Sequence, residues 1–124
     1  MILMEGKLVY DSWRTRNRLG ARGPRSSCRS LLFRVGDLCV DLLMHVRRDD
    51  LHIVYGQIIR ESGGTPVAGA RVRLDPRGDT AVSDELGQFT VVMLCGGEGS
   101  VPLVIEHEGR KLGCRVTLGV EEYA

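Results

Sequence analysis

Turn-forming dipeptides and glycine-rich stretches divide this chain into short runs of apolar and β-branched residues. Glycine supplies 16 of the 124 residues and proline only 4, a composition typical of many tight turns rather than of a low-complexity chain. From residue 31 onward the turn signals recur about every 8–12 residues, which is typical of a β-sandwich or barrel. Apolar residues at helical spacing do not persist for three turns anywhere, so the sequence predicts an all-β fold.

The clearest strand pattern lies at 38–46. Leu38, Val40, Leu42, Met44 and Val46 occupy every second position, as expected for a half-buried strand. The length of the chain fits one domain. We expect two antiparallel sheets with Greek-key connections. The predicted strands are 7–10, 31–35, 38–46, 52–60, 70–74, 80–82, 88–93, 101–106 and 112–118.

Charge is distributed unevenly, although the net charge of the whole chain is only +1. Residues 1–34 hold eight basic and two acidic side chains, a net charge of +6, whereas residues 35–124 hold nine basic and fourteen acidic ones, a net charge of −5. The segment 11–30 has no sustained apolar period and is predicted to be a long loop or a mobile arm. We therefore divide the chain into a basic N-terminal arm with one short strand, 1–30, and a β-sandwich domain, 31–124.

The basic arm offers the most direct functional interpretation. Its arginines suit either the phosphates of a nucleic acid, with salt-dependent affinity, or an acidic surface on a protein partner or a second copy. A solvated loop without a partner is the third interpretation. Protein contact is favoured over nucleic acid because the only aromatic residue among these arginines is a single tryptophan. The candidate partner-binding residues are Trp13, Arg14, Arg16, Arg18, Arg22, Arg25 and Arg29.

No group of residues predicts a catalytic or metal site. His45 and His52 flank a charged turn and would form a two-histidine site if they faced each other, but histidines at strand ends are more typical of a surface. His107 stands between two glutamates at a predicted hairpin tip, where solvent exposure is the simpler interpretation. Cys95 lies close to Glu98, and a nearby negative charge disfavours the thiolate that a nucleophile requires. We predict a protein that is not an enzyme and needs no cofactor, metal or small-molecule substrate.

Hydropathy and cysteine usage bear on the compartment. No apolar run approaches the roughly 20 residues of a membrane span, and the first residues lack the apolar core of a secretory signal. We expect a cytoplasmic protein without membrane contact. Its four cysteines, none of them in a Cys-x-x-Cys pair, are then expected to be reduced thiols.

Three segments of the chain follow one another in the order of a known family pattern. They read VYGQI at 54–58, TPVAGARVRL at 65–74 and SDELGQF at 83–89. Together they resemble the carboxypeptidase regulatory-like domain, whose members read roughly V-x-G-x-V, G-x-P-L-x-G-A-x-V-x-L and T-D-x-x-G-x-F. The resemblance implies an Ig-like, transthyretin-like β-sandwich that serves as a non-catalytic appendage. The glycine-rich run at 95–99 departs from the Pro-Gly-x-Tyr segment of many members. The structural motif residues are Gly56, Pro66, Gly69, Ala70, Asp84, Gly87 and Phe89.

The motif residues have physical roles of their own. Pro66 fixes φ at the entry to a strand, and Gly69 permits a bend that a Cβ would oppose. Asp84 is expected to accept backbone N–H bonds within its turn, and Gly87 to adopt a positive φ. Phe89 is thereby delivered into the core.

A second resemblance concerns residues 8–13 and 30–42. They resemble small bacterial proteins that carry this domain and are encoded beside sigma-factor genes, which implies an accessory role. The transthyretin-like hydrolase of purine catabolism ends in Tyr-Arg-Gly-Ser, whereas this chain ends VEEYA. The sequence thus predicts a non-catalytic module that binds a protein partner or itself through exposed edge strands or the basic arm. The alternative is nucleic-acid or phosphate binding through the basic arm.

Overall fold

The computed structural model describes residues 3–12, 28–48, 51–74, 80–94 and 100–117. All ten elements assigned within these ranges are strands, as the alternation in the sequence predicts. The predicted turns at 76–79 and 95–99 lie outside the described residues. The strands are β1 (Leu3–Glu5), β2 (Lys7–Asp11), β3 (Cys28–Val35), β4 (Leu38–Arg48), β5 (Leu51–Arg60), β6 (Arg71–Leu74), β7 (Thr80–Val82), β8 (Gln88–Leu94), β9 (Ser100–His107) and β10 (Arg110–Thr117).

The strands form two five-stranded sheets. Sheet A has the order β1-β10-β9-β6-β7, and sheet B has the order β2-β3-β4-β5-β8. Neighbouring strands are antiparallel except β1 and β10, which run parallel. The expectation of two antiparallel sheets therefore holds for the described pairings except this one, which involves a strand that was not predicted from the sequence.

One apolar core joins the two sheets. Alternate residues of β3 and β5, of β4 as far as Met44 and of β8 as far as Val91 face inward, and the inward residues of β6, β9 and β10 meet them from sheet A. This arrangement is that of a β-sandwich. The largest fully buried apolar side chains are Leu31, Leu38, Leu42, Met44, Ile58, Leu74, Leu103, Ile105 and Leu112.

The first thirty residues take part in both sheets. β1 pairs with β10 in sheet A, β2 pairs with β3 in sheet B, and β3 itself begins at Cys28. The described part of 1–30 therefore belongs to the sandwich, because its backbone completes the edges of the two sheets. This corrects the description of 1–30 as an arm apart from a domain that starts at residue 31.

The turn before β8 forms as the sequence predicts. Asp84 Oδ1 accepts hydrogen bonds from the backbone N–H groups of Leu86 and Gln88, each at 2.9 Å. Gly87 has φ +76°, and a Cβ there would lie 2.4 Å from the carbonyl oxygen of Ile58. Phe89 follows and is buried in the core. The motif roles of Asp84, Gly87 and Phe89 are confirmed.

Ser83 links this turn to the preceding motif segment. Its buried hydroxyl donates to the carbonyl of Val67 at 2.7 Å and accepts from the N–H of Ala70 at 2.9 Å. Between them Gly69 has φ +76°, which confirms the predicted bend. Pro66 forms an isolated antiparallel bridge with Ile59, ahead of the strand that begins at Arg71.

Gly56 is required by the packing of Phe89. The two residues lie directly opposite each other on β5 and β8. A Cβ on Gly56 would lie 2.0 Å from Phe89 Cζ, so the ring occupies the space that a side chain would take.

Within the described residues no helix is long and apolar enough to cross a membrane.

Candidate functional site

Of the seven predicted partner-binding residues, the structure describes Arg29. The other six lie outside the described residues: Trp13, Arg14, Arg16, Arg18, Arg22 and Arg25. The segment that carries them connects β2 to β3, which are antiparallel neighbours in sheet B. The strands that flank it on both sides therefore belong to sheet B.

Arg29 is a correction to the sequence analysis. Its side chain is fully buried and faces the interior of the sandwich from β3. Its Nε donates to Asp11 Oδ1 at 3.0 Å and its Nη2 to Asp11 Oδ2 at 2.5 Å. A guanidinium enclosed in this way cannot contact an external partner, so Arg29 is removed from the candidate binding residues.

The histidines do not assemble a metal site. His45 faces outward from β4, opposite Ile53, whereas His52 is buried on the inner face of β5. His45 lies opposite Ile53, the neighbour of His52 in β5, and adjacent residues of a strand point to opposite faces of a sheet. The two rings are therefore on opposite faces of sheet B. His107 Nε2 lies 2.9 Å from Glu108 Oε1. Within the described residues no group of three or more His, Cys, Asp or Glu side chains could hold a metal ion.

The described thiols differ in environment. Cys28 is exposed, Cys39 is half-buried and Cys114 is buried. Burial raises the pKa of Cys114 to about 12, so its thiol stays protonated at neutral pH. Cys95, the thiol considered as a nucleophile, lies outside the described residues.

A cluster of charges joins the two sheets at one end of the sandwich. Arg60, at the end of β5, lies 3.5 Å from Asp37 and 2.9 Å from Glu108. Arg110 contacts Asp37 at 3.3 Å. The hydrogen bond from Arg110 lowers the pKa of Asp37, and the hydrogen bond from Arg60 lowers the pKa of Glu108. The opposite charges are matched, and the cluster ties the β3–β4 turn to the β9–β10 turn.

The outer face of sheet B carries exposed apolar side chains. Leu43 and Tyr55 lie directly opposite each other on β4 and β5, with exposed fractions of 43% and 44%. Val92 on β8 is 37% exposed and lies opposite Ile53. We call Leu43, Tyr55 and Val92 the apolar patch. Large apolar side chains exposed together on one face are typical of an interaction surface.

A shallow concavity adjoins the apolar patch. It has a volume of about 330 Å³. Apolar contact comes from Leu43 and Tyr55, and hydrogen-bonding groups come from Asp41, Gln57, Gln88 and Thr90. Such a lining suits a peptide segment that offers both apolar side chains and backbone amides.

Strand β8 forms the edge of sheet B beside this concavity. The N–H of Ile58 donates to the carbonyl of Gly87 at 2.9 Å, which sets the phase of the hydrogen bonds between β5 and β8. In an antiparallel pair the bonded positions alternate, so Phe89 and Val91 bond to β5 while Thr90 and Val92 point their N–H and C=O groups away from it. Within the described residues these outward groups have no partner. We call the backbone of Thr90, Val92 and Leu94 the free edge.

The remaining edges of the described sheets are protected. β1 and β7 contain three residues each. β2 carries Lys7 and Asp11 and has a register shift between Leu8 and Tyr10. Short length, charges and bulges are the devices that prevent edge pairing. β8 has seven residues, none of them charged or proline, and it pairs with β5 without a register shift.

Sequence reasoning predicted contact through an exposed edge strand but missed the apolar patch and did not identify β8 as that edge. The sequence offered one signal for the apolar patch. Leu43 is apolar although it lies on the predicted outward face of the strand at 38–46, together with Asp41 and His45. A second signal was the absence of charge from 88–94. Neither signal shows which strand lies at the edge of a sheet, because the edge position of β8 depends on strand order.

Comparison of the chain with protein-family models, curated proteins and solved structures gave no match. Resemblance to the carboxypeptidase regulatory-like domain therefore stays a prediction.

Proposed function

We propose that this chain is a non-catalytic β-sandwich module that binds a protein through the side of sheet B formed by the apolar patch and the free edge. The observation that carries the proposal is β8, a seven-residue edge strand without charge, proline or register shift. Natural edge strands of this length usually carry at least one such protection. An unprotected edge is suited to accept a strand from another chain.

The apolar patch adds side-chain contacts to this backbone recognition. Val92 belongs to both features, and Tyr55 lies opposite Thr90 of the same edge strand. A strand added beside β8 would extend the outer face of sheet B, and its side chains would neighbour those of Thr90 and Val92. Affinity would come from main-chain hydrogen bonds, and specificity from the fit of alternate side chains.

The finer fold type and the setting belong to the same proposal. The turn at Asp84–Gly87 and the bend at Gly69 support a transthyretin-like sandwich, and Greek-key connections are part of the proposed fold type. An accessory role in a bacterium rests on the sequence resemblances alone, and a cytoplasmic location rests on the hydropathy of the sequence.

Nucleic-acid or phosphate binding by the basic segment between β2 and β3 is the alternative. The bidentate contact of Arg29 with Asp11 joins the two strands that flank this segment, and Ser30 N–H donates to Ser12 Oγ at 2.9 Å beside it. Binding of a labelled duplex at two salt concentrations tests the alternative. Affinity that is independent of salt, or unchanged in a variant with alanine at 14, 16 and 18, rejects it.

The experiment for the main proposal compares two matched pairs of substitutions. Leu43→Ser with Tyr55→Ser removes two members of the apolar patch, and Val9→Ser with Tyr10→Ser removes an exposed apolar pair from the opposite edge. The tagged full chain is crosslinked in the cell that produces it, and each crosslinked species, including a second copy, is identified by mass. The affinity of the wild-type chain and of each variant for the identified partner is then measured with purified proteins.

We expect the substitutions at Leu43 and Tyr55 to weaken binding about tenfold or more, because buried aromatic and aliphatic anchors dominate protein interfaces. The substitutions at Val9 and Tyr10 should leave affinity unchanged. Equal affinities for all three proteins would reject the apolar patch as the binding surface. Circular dichroism of each variant checks that its fold is retained.

A further inference from the structure

We propose that the partner on the free edge is a second copy of this chain, paired β8 to β8 in antiparallel orientation and centred on Val92. The inference rests on the proposed function and names the partner for the same surface. Sheet B would continue across the contact into the sheet B of the second copy. The contact is two-fold symmetric, so each β8 offers the groups that the other requires.

The hydrogen bonds already made by Gln88 determine the register. Its carbonyl accepts from the N–H of Asp84 at 3.0 Å, and its N–H donates to Asp84 Oδ1 at 2.9 Å. Both outward groups of Gln88 are thus occupied by its own turn, and the groups left for pairing begin at Thr90. Pairing centred on Val92 places Thr90 opposite residue 94 of the second copy and Val92 opposite its own equivalent. This register uses all three residues of the free edge and does not require Gln88.

The chemistry of β8 favours its own copy over a charged strand. Gln88–Leu94 contains no ionisable residue, so an acidic or basic partner strand would find no opposite charge beside it. A second β8 is equally uncharged. Its Val92 would form a cross-strand pair of β-branched side chains on the outer face, a pairing that stabilises antiparallel sheets.

The surroundings of the edge are compatible with this arrangement. Val82 on β7 and Leu86 in the turn before β8 are 63% and 59% exposed, and both are apolar. They lie on the side of the sandwich that the second copy would approach, since β7 and β8 are the neighbouring edges of the two sheets. The other long edge, β2, is charged and irregular, so β8 is the better edge for self-pairing.

Site-specific disulfide formation tests the register directly. In a background with Cys28, Cys39 and Cys95 replaced by serine, Val92→Cys brings two thiols to the two-fold axis, where paired Cα atoms are about 5.5 Å apart. The matched variant Thr90→Cys separates its two thiols by four residues along the strands, about 13 Å, which is beyond disulfide reach. We expect mild oxidation to give a covalent dimer with Val92→Cys and none with Thr90→Cys. Equal crosslinking of both variants, or of neither, overturns the proposed register.

Sedimentation velocity of the full chain measures the self-association. Val92→Pro removes the central N–H, which points away from β5, so the ladder within the molecule is preserved. Thr90→Lys places a charge on the edge and serves as a second variant. Each should raise the dimer dissociation constant at least roughly tenfold, whereas Val9→Lys on β2 should leave it unchanged.

The outcomes separate the two proposals. A wild-type chain that remains monomeric at all concentrations, while its binding to another protein depends on Leu43 and Tyr55, overturns self-pairing and leaves the proposed function standing. Loss of association with Val9→Lys alone would point to β2 and overturn pairing through β8. A dimer that is insensitive to Val92→Pro and Thr90→Lys would also overturn it.

Discussion

Arg29 and Asp11 form a buried bidentate ion pair that joins β3 to β2, with Nε–Oδ1 and Nη2–Oδ2 distances of 3.0 and 2.5 Å. Both side chains are fully buried, and each charge is compensated by the other at short range. The pair joins the two strands that flank the segment carrying the predicted basic residues. Its consequence is structural: an arginine that sequence reasoning assigned to an external partner instead holds an edge strand to its sheet.

Removal of either partner should destabilise the fold strongly. We expect Arg29→Met or Asp11→Leu alone to lower the free energy of unfolding by about 3–5 kcal/mol, because a buried charge is left without its partner. The double variant should recover most of this loss, since apolar residues of similar volume often replace a buried ion pair without cost. Urea unfolding of the four proteins measures the coupling, and additive effects of the two substitutions would contradict the pairing.

The contact of Gly56 with Phe89 predicts a second coupling. Gly56→Ala should lower the free energy of unfolding by about 1–3 kcal/mol, because the new Cβ overlaps the ring at Cζ and at both Cε atoms. In a Phe89→Leu background those ring atoms are absent, and the cost of Gly56→Ala should fall by more than half. Chemical denaturation of the single and double variants tests this. An equal cost in both backgrounds would show that the ring does not occupy the space above Gly56.

The charged cluster at the end of the sandwich predicts a pH dependence. The pKa values of Asp37 and Glu108 are lowered in the folded protein, chiefly by hydrogen bonds from Arg110 and Arg60. A lowered carboxyl pKa contributes stability that is fully present above the unfolded pKa and is lost as the pH falls through the folded pKa.

Asp37→Asn and Glu108→Gln should therefore reduce the loss of stability on acidification. The urea midpoint measured from pH 6 down to pH 3 should fall less steeply in the double variant than in the wild type. Glu85→Gln, in the exposed turn before β8, is the matched control. The same slope in all three proteins would argue against a contribution from the cluster.

Cys114 is predicted to be inert in the native protein. Because burial raises its pKa to about 12, its thiolate fraction at pH 8 is very small. We expect alkylation of Cys114 to be about a hundredfold or more slower in the native state than in denaturant. Peptide mapping by mass spectrometry resolves each cysteine, and rapid native labelling at Cys114 would contradict its burial.

Local chemistry explains what the sequence predicted correctly. Asp84 and Gly87 determine their turn through hydrogen bonds and a positive φ within a few residues, so the delivery of Phe89 to the core could be predicted. The alternation likewise identified the buried face of β4 from Leu38 to Met44. These features depend on residues close together in the sequence and not on the pairing of distant strands.

Long-range pairing explains what the sequence did not predict. β1 has only three residues, and its partner β10 lies more than 100 residues away, so no local pattern marks it. Arg29 resembled a surface charge because Asp11 reaches it only through the pairing of β2 with β3. The free edge depends on strand order, and no pattern within Gln88–Leu94 states that β8 has a neighbour on one side only.

Hydrogen exchange at the backbone of β8 tests the central claim most directly. The amides of Phe89 and Val91 bond to β5 and should exchange slowly at every protein concentration. The amides of Thr90 and Val92 point outward, and pairing with a second copy should protect them at high concentration and release them on dilution. Fast exchange of Thr90 and Val92 at every concentration, with Phe89 and Val91 protected throughout, would contradict the account.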